Sequence, residues 1–144
     1  MSALIESGFM PQILAIEKIM HRCESKVTEL PVEHYFIDGV YVRSLFIPAG
    51  MVLTGKIHNK ENISILAQGE ISITNGTDAK TIKAPHIMVD KPGVKRLGYA
   101  ISDCTFINVI RTDLTDIEEI EKELVSDTFE QYENLLLSNS REAL

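Results

Sequence analysis

Lys56 and His58, two side chains that could hold an anion or move a proton, lie two residues apart near the middle of the chain. On a β-strand such positions share one face, because side chains alternate with period two. Arg96 adds a guanidinium fork suited to a phosphate or carboxylate, whereas a lysine acts as a point charge. If these cations are buried, each needs an anion. The internal candidates are Glu61 and Asp90, and the external candidate is an anionic ligand.

Other reactive residue types form no recognised motif. His21, His34 and His86 are scattered without metal-site spacing, and we expect them to be surface or packing residues. Two cysteines are too few for a disulfide scaffold or a cysteine-rich zinc site. The sequence also lacks the G-x-S-x-G and phosphate-loop patterns.

Composition places the chain among ordinary single-domain globular proteins. It has 144 residues, of which 44% are apolar, and a net charge of −7. An acidic chain has no general affinity for a nucleic-acid backbone. No apolar run reaches the roughly 20 residues of a membrane span. The opening residues lack the pattern of a secretory signal, so we expect a cytoplasmic protein without a membrane partner.

Short β-type segments separated by turn residues fill the middle of the chain. Nine such runs are predicted, at residues 34–37, 41–47, 52–57, 63–67, 71–74, 81–84, 87–89, 95–101 and 105–110. Runs of this length and spacing are typical of an all-β sandwich or barrel. Asn75-Gly76 gives the strongest hairpin signal, because a type I′ turn needs positive φ at both central positions.

Helical periodicity flanks the β region on both sides. Pro11 suits a first helical turn, and the apolar spacing that follows predicts a helix over residues 11–25. The predicted organisation is an N-terminal helical segment (1–33), a β-barrel (34–111) and an acidic C-terminal helical segment (112–144).

The C-terminal segment contains two predicted helices. Thr115 and Glu118 have capping-box spacing and precede one apolar face, formed by Ile117, Ile120 and Leu124. A second helix is predicted to start at Ser126 or Asp127, with an apolar face formed by Phe129, Tyr132, Leu135 and Leu136. Helices that are acidic outside and apolar inside pack on the barrel or on a partner subunit.

The segment GMVLTGKIHNKENISILAQG, residues 50–69, resembles the first motif of the cupin superfamily, G-x5-H-x-H-x3-E-x6-G, without insertion. Gly50, His58 and Gly69 take the first glycine, second histidine and last glycine positions. In the weaker second motif, G-x5-P-x-G-x2-H-x3-N, placing Gly93 on the second glycine puts Arg96 at the histidine position. The resemblance implies a mainly β fold, the double-stranded β-helix or small jelly-roll barrel.

Most of the chain is also similar to short cupin-like proteins encoded by bacteriophages. The stretches LFIPAG (45–50), GKIH (55–58) and KPGVKRLGYA (91–100) carry this similarity. It implies a phage source and a location in the host cytoplasm, without implying a reaction.

The sequence departs from the family pattern at the metal site. Cupins typically hold a divalent metal with two histidines and a glutamate of the first motif and a histidine of the second. The four positions here are Lys56, His58, Asn62 and Arg96. Only His58 is a good transition-metal ligand, and two positions are cations. We therefore expect neither a metal nor another cofactor.

These replacements favour a metal-free cupin that binds a small anionic molecule, a nucleotide or a phosphorylated sugar, through Lys56, His58, Asn62 and Arg96. In a phage setting it would sequester a host metabolite or signal. One alternative is a metal-free isomerase or epimerase, with His58 as the base and Tyr99 or Tyr41 as the acid. Whether the chain is an enzyme stays open at this point.

A second alternative is a structural or protein-interaction module with a vestigial pocket. Cupins commonly pair through sheet edges and terminal segments, and exposed edges need covering. The resemblance and the apolar helix faces together predict a homodimer formed through sheet edges or terminal helices.

Overall fold

The computed structural model describes residues 30–74 and 78–142. Its strands are β1 (Val32–Ile37), β2 (Val40–Ile47), β3 (Val52–Thr54), β4 (Ile57–His58), β5 (Asn62–Gln68), β6 (Glu70–Thr74), β7 (Ala79–Lys83), β8 (His86–Asp90), β9 (Leu97–Ala100), β10 (Cys104–Arg111) and β11 (Val125–Ser126). Its helices are α1 (Ile117–Leu124) and α2 (Phe129–Glu142). The predicted helix over 11–25 and the Asn75-Gly76 turn lie outside the described residues.

Two antiparallel sheets enclose the main core. The larger sheet has the strand order β1-β2-β10-β5-β8, and the smaller has the order β3-β9-β6-β7. Alternate residues of both sheets point inward and form an apolar cluster of Ile47, Leu66, Ile71, Ile73, Ile82, Ala100 and Cys104. The predicted β-barrel architecture is confirmed, and each of the nine predicted β-type runs contains a strand.

One predicted run, 52–57, is broken in the structure. Strand β3 ends at Thr54 and β4 begins at Ile57, so Gly55 and Lys56 lie between strands. The backbone N–H of Gly55 donates to the Arg96 carbonyl at 3.0 Å, and its carbonyl accepts from Lys95 Nζ at 2.8 Å. These bonds draw the chain out of the regular alternation at this point.

Helix α1 packs its apolar face on the barrel, which is one of the two surfaces predicted for it. Ile120 and Leu124 are buried in a second cluster with Tyr41 of β2 and Ile110 of β10. The helix begins one residue later than the Thr115 capping box predicts. Asp116 is the N-cap, and its carboxylate accepts from the Glu119 N–H at 3.2 Å.

Helix α2 also begins later than predicted. Val125 and Ser126 pair with β4 as the short strand β11, which prevents a helix from starting there. The Thr128 hydroxyl instead accepts from the Gln131 N–H at 3.1 Å and caps the helix. Neither helix of the described part is long and apolar enough to cross a membrane.

Candidate functional site

A set of polar side chains interrupts the apolar inner face of the larger sheet. Asn62 and Ser64 of β5 and Asn108 of β10 occupy inward positions and are buried. Their neighbours Asp90 of β8 and His58 of β4 approach from the same side, and Arg96 reaches in from the loop before β9. We call the barrel network the set formed by His58, Asn62, Ser64, Asp90, Arg96 and Asn108.

Asn108 links the two polar positions of the adjacent strand. Its side-chain Nδ2 donates to Asn62 Oδ1 at 3.1 Å and to Ser64 Oγ at 2.9 Å. The Ser64 hydroxyl in turn donates to a carboxylate oxygen of Asp90. Each of the buried side chains in this hydrogen-bonded series therefore has at least one partner, as low-dielectric surroundings require.

Asp90 and Arg96 form a buried ion pair. Asp90 is 2% exposed and accepts from both the Arg96 guanidinium and the Ser64 hydroxyl. The Arg96 side chain remains 24% exposed. Asp90 is one of the two internal candidates that the sequence offers as partners for the cations, and in the structure it pairs with Arg96. The other, Glu61, lies at the surface and pairs with Lys91 at 2.7 Å.

His58 is held in a neutral form with a defined tautomer. Its Nδ1 lies 3.0 Å from Asn62 Nδ2, and because that amide nitrogen donates, Nδ1 accepts and the ring proton resides on Nε2. Burial lowers the pKa of His58, the Asp90 charge opposes that shift, and the charges of Arg96 and Arg43 lower it further. No hydrogen-bond partner of Nε2–H occurs among residues 30–74 and 78–142.

Arg43 lies beside the barrel network and was not predicted from the sequence. On β2 it faces inward, in register with Asn108 on one side and His34 on the other. It is half-buried, and the described residues include no carboxylate or hydrogen-bond acceptor that meets its guanidinium. Its charge influences the pKa of His58. Arg43 thus adds a positive charge that the described part of the barrel does not balance.

The structure does not bring Lys56 into this cluster. Its side chain is 52% exposed and forms an ion pair with Asp127 at 3.2 Å. It lines a surface cleft of about 210 Å³ beside α1, with Glu118 and Glu121. The expectation that Lys56 and His58 share one face of a strand is wrong, because the break between β3 and β4 interrupts the period-two alternation.

The two tyrosines considered as acids also lie apart from His58. Tyr99 is 47% exposed on the outer face of β9, whereas its neighbours Gly98 and Ala100 are buried on the inner face. Tyr41 is buried near α1, and its hydroxyl lies 2.6 Å from Nδ1 of His34. Burial raises the pKa of Tyr41, which makes it a weaker acid. The structure therefore pairs neither tyrosine with His58.

Ser64, Asn108 and Arg43 were not predicted to belong to the site, although the sequence carries a signal for them. Arg43 and Asn108 are polar residues at inward positions of strands whose other inward residues are apolar, and Ser64 lies two residues from Asn62 on the inward face of β5. A polar side chain in the buried phase of such a strand must find partners, which marks it as a network member. Reading that phase requires the strand register, which the structure supplies.

The donor set of the barrel network does not fit a divalent metal. Nδ1 of His58 is engaged by the Asn62 amide, and Arg96 places a guanidinium on the only nearby carboxylate that the described residues supply. No three His, Cys, Asp or Glu side chains converge anywhere in the described part of the chain. A cationic, amide-lined cluster of this kind disfavours metal ions and favours anions.

The fold has clear counterparts among solved structures. A cupin superfamily protein from Desulfitobacterium hafniense matches at a TM-score of 0.50 and 10% identity, over 66% of this chain and 88% of that chain. The Cupin 2 domain of an XRE family transcriptional regulator from Enterobacter cloacae matches at 0.50 and 12% identity, over 58% and 96%. No protein-family model matches the sequence, and no curated protein matches it either.

At this level of identity the likeness defines the fold alone. The chain has the cupin fold, a double-stranded β-helix, with the two C-terminal helices added to it. His58, Asn62 and Arg96, three of the four positions that the motif resemblance names, belong to the barrel network.

Proposed function

We propose that this chain binds a small molecule carrying a phosphate or carboxylate group on the inner face of its larger sheet, between Arg43 and His58. The observation that carries the proposal is the half-buried Arg43 guanidinium, which has no counter-charge among the described residues. A cation that is partly removed from water and left unpaired is costly, and an anionic ligand would remove that cost.

Three donors support an anion at this place. Arg43 offers a guanidinium fork, which is suited to two oxygens of one phosphate or carboxylate. His58 is neutral and presents Nε2–H, because Asn62 occupies its Nδ1. Arg96 donates from one guanidinium nitrogen to Asp90, and its side chain remains partly exposed. Arg43 and Arg96 carry two positive charges and Asp90 carries one negative charge, so these three side chains together have a net charge of +1.

The side chains favour binding of the anionic ligand without its chemical conversion. A histidine base needs a free ring nitrogen and usually a carboxylate that orients it. Here Nδ1 is occupied by Asn62, and Asp90 gives its oxygens to Ser64 and Arg96. Neither candidate acid, Tyr99 or Tyr41, approaches His58. Sequestration of a nucleotide or a phosphorylated sugar fits these constraints better than isomerisation.

A ligand panel tests the proposal directly. The full chain is heated with inorganic phosphate, UMP or glucose 1-phosphate, and in parallel with neutral uridine or glucose. A ligand at about 100 times its Kd stabilises the fold by about 2.7 kcal/mol. We expect at least one anion, and neither neutral parent compound, to raise Tm. Equal stabilisation by the neutral compounds, or no response to any anion, would contradict the proposal.

Two variants separate the site from general surface charge. Arg43→Met keeps the stem of the side chain and removes the charge, so we expect at least about 10-fold weaker anion binding. Lys56→Met removes an equal charge from the exposed cleft beside α1 and is the matched control, with affinity unchanged within about twofold. If Lys56→Met weakens binding and Arg43→Met does not, the site lies in that cleft instead. Mass spectrometry of molecules retained after incubation with cell extract then identifies the natural ligand.

A further inference from the structure

Three aromatic rings lie together on the inner side of β1 and β2, next to Arg43. The Phe36 ring stacks on the Tyr41 ring at a centroid distance of 5.1 Å and an interplanar angle of 21°. The His34 ring stacks on the same tyrosine at 5.8 Å and 16°. The β1–β2 register brings these residues together, because it places Phe36 opposite Tyr41 and His34 opposite Arg43. We call His34, Phe36 and Tyr41 the ring cluster.

Tyr41 anchors the ring cluster in the interior of the protein. It is 3% exposed and packs with Ile110 in the second apolar cluster, beside α1. Its hydroxyl lies 2.6 Å from Nδ1 of His34, so the tyrosine also holds the histidine ring in place. Because contacts within the chain already order these rings, a ligand that stacks on them causes little further loss of side-chain freedom.

The other two rings of the cluster are open to solvent, although they share the face of the buried tyrosine. Phe36 is 38% exposed, and His34 is exposed as well. Phe106, an inward aromatic residue of β10, packs instead against the main apolar core. Exposed ring surface on the inner face therefore occurs at Phe36 and His34, beside the unbalanced charge of Arg43.

The ring cluster lies within reach of a small molecule held by Arg43. In an antiparallel pair, directly opposite residues are about 5 Å apart, and diagonal neighbours are about 7 to 8 Å apart. His34 is the directly opposite neighbour of Arg43, and Phe36 is a diagonal one. An anion on the guanidinium thus has aromatic surface close by, at the kind of separation that one sugar bridges between the phosphate and the base of a nucleotide.

These neighbours favour one class of anion over another. Aromatic side chains bind nucleobases by stacking, and every base has a π-face that allows this. The guanidinium fork suits the phosphate. A sugar phosphate without a base would satisfy Arg43 and leave most of the Phe36 and His34 ring surface exposed. A cation beside exposed rings therefore matches a ligand that is anionic at one end and planar and aromatic at the other.

We propose that the ligand of this site is a nucleotide, whose phosphate lies on Arg43 and whose base stacks on Phe36 and His34. This inference rests on the proposed anion binding and specifies the class of the ligand. It makes Phe36 a specificity-determining residue. Since stacking does not read the hydrogen-bonding edges of a base, the rings favour nucleotides over sugar phosphates without selecting one particular base.

AMP and ribose 5-phosphate test this proposal, because they share the sugar and the phosphate and differ in the base. Titration calorimetry on the full chain gives both dissociation constants. We expect AMP to bind at least about 5-fold more tightly than ribose 5-phosphate. Equal affinities would overturn the proposal while leaving anion binding intact, with residues 1–29 of the same chain as the candidate cover of the rings. If neither phosphate binds, the anion site itself is wrong and this proposal is wrong with it.

Phe36→Leu removes the ring and keeps a large apolar side chain. We expect it to weaken AMP binding at least about 5-fold and to leave the affinity for ribose 5-phosphate unchanged. A circular dichroism spectrum like that of the unmodified chain verifies that the variant is folded. A folded variant that loses neither ligand, or loses both to the same extent, would contradict base stacking on Phe36.

Tyr35→Leu is the matched control. Tyr35 is the preceding residue of β1 and is a 52% exposed aromatic side chain, but it points to the opposite face of the strand. Its replacement should leave both affinities unchanged. If Tyr35→Leu weakens AMP binding as much as Phe36→Leu does, the effect does not come from the ring cluster and the proposal is overturned.

Discussion

Asn62 donates its side-chain N–H to Nδ1 of His58 across 3.0 Å, and this bond sets the chemistry of the inner face. It fixes the ring proton on Nε2 and directs a donor, rather than a lone pair, toward any ligand. A carboxylate at position 62, as in the cupin motif, would instead favour the imidazolium. The asparagine therefore belongs with the two arginines in an arrangement suited to recognising an anion.

The lowered pKa of His58 makes folding stability depend on pH. The unfolded chain takes up this proton near the ordinary histidine pKa of 6.5, and the folded chain takes it up only at lower pH. The unfolded state thus binds more protons in that window, so the free energy of unfolding falls as pH drops below about 6.5. For one proton, the free energy of unfolding changes by at most about 1.4 kcal/mol per pH unit.

Urea unfolding between about pH 7.5 and about pH 5.5 measures this contribution. His58→Gln removes the titrating group and keeps an acceptor for Asn62. We expect the variant to lose less stability than the unmodified chain as pH falls, while the other histidines contribute equally to both. Parallel curves for the two proteins would show that His58 does not titrate below its unfolded value.

Replacing Asn62 by aspartate should reverse the shift. A carboxylate beside the imidazole stabilises its charged form, so the pKa of His58 should rise relative to that in the unmodified chain. Titration of the His58 ring signals by NMR provides the measurement. Ser72→Asp, on the outer face of β6, adds the same charge away from the network and should leave the His58 titration unchanged. A pKa that stays low in Asn62→Asp would mean that the amide contact does not control the histidine.

Strand positions were predictable because they depend on local pattern. Alternation and turn residues predict the β-type runs, and the structure places a strand in each of them. Lys56 shows where local pattern is insufficient. Its assignment to the barrel assumed an unbroken strand, and the break at Gly55 depends on contacts with Lys95 and Arg96, which are distant in sequence.

The candidate site was predictable only in part, for the same reason. His58, Asn62 and Arg96 were found through the spacing of the motif. Arg43 and Asn108 lie on strands that carry no motif, and they join the site through the β2–β10 register. A register is set by pairing across the whole sheet, and a one-residue slip would point both side chains outward. Sequence spacing alone could not fix it.

The buried ion pair should be far more costly to break than an exposed one. Asp90→Asn removes the counter-charge of Arg96 inside the barrel and weakens the Ser64 contact. We expect a loss of about 3 to 5 kcal/mol in the free energy of unfolding, measured in urea. Glu61→Gln breaks the exposed Glu61–Lys91 pair, whose side chains are 56% and 70% exposed, and should cost less than about 1 kcal/mol.

The double variant Asp90→Asn, Arg96→Met checks the reason for that loss. If the cost of Asp90→Asn comes from the uncompensated Arg96 charge, removing this charge as well should restore part of the stability. If the double variant is as unstable as the sum of the two single variants, the charges are not coupled. The cost would then arise from the Ser64 and Asn108 hydrogen bonds.

Gly69, the last glycine of the first motif, should be the least replaceable of the motif glycines. Its φ is +94°, and a Cβ there would overlap the Asp103 carbonyl oxygen and lie 2.8 Å from Cys104 Sγ. Gly69→Ala combines backbone strain with a clash against rigid backbone, and we expect a loss of about 3 kcal/mol in urea unfolding.

Two further glycines separate these causes. Gly50 has a φ of +84° and open space around its Cβ position, so Gly50→Ala should cost only the backbone term, about 1 to 2 kcal/mol. Gly55 has neither positive φ nor a close neighbour, so Gly55→Ala should stay within about 0.5 kcal/mol of the unmodified chain. Equal losses in Gly69→Ala and Gly50→Ala would show that the Asp103 loop yields to the methyl group. The requirement for glycine at position 69 would then be conformational, as at position 50, rather than steric.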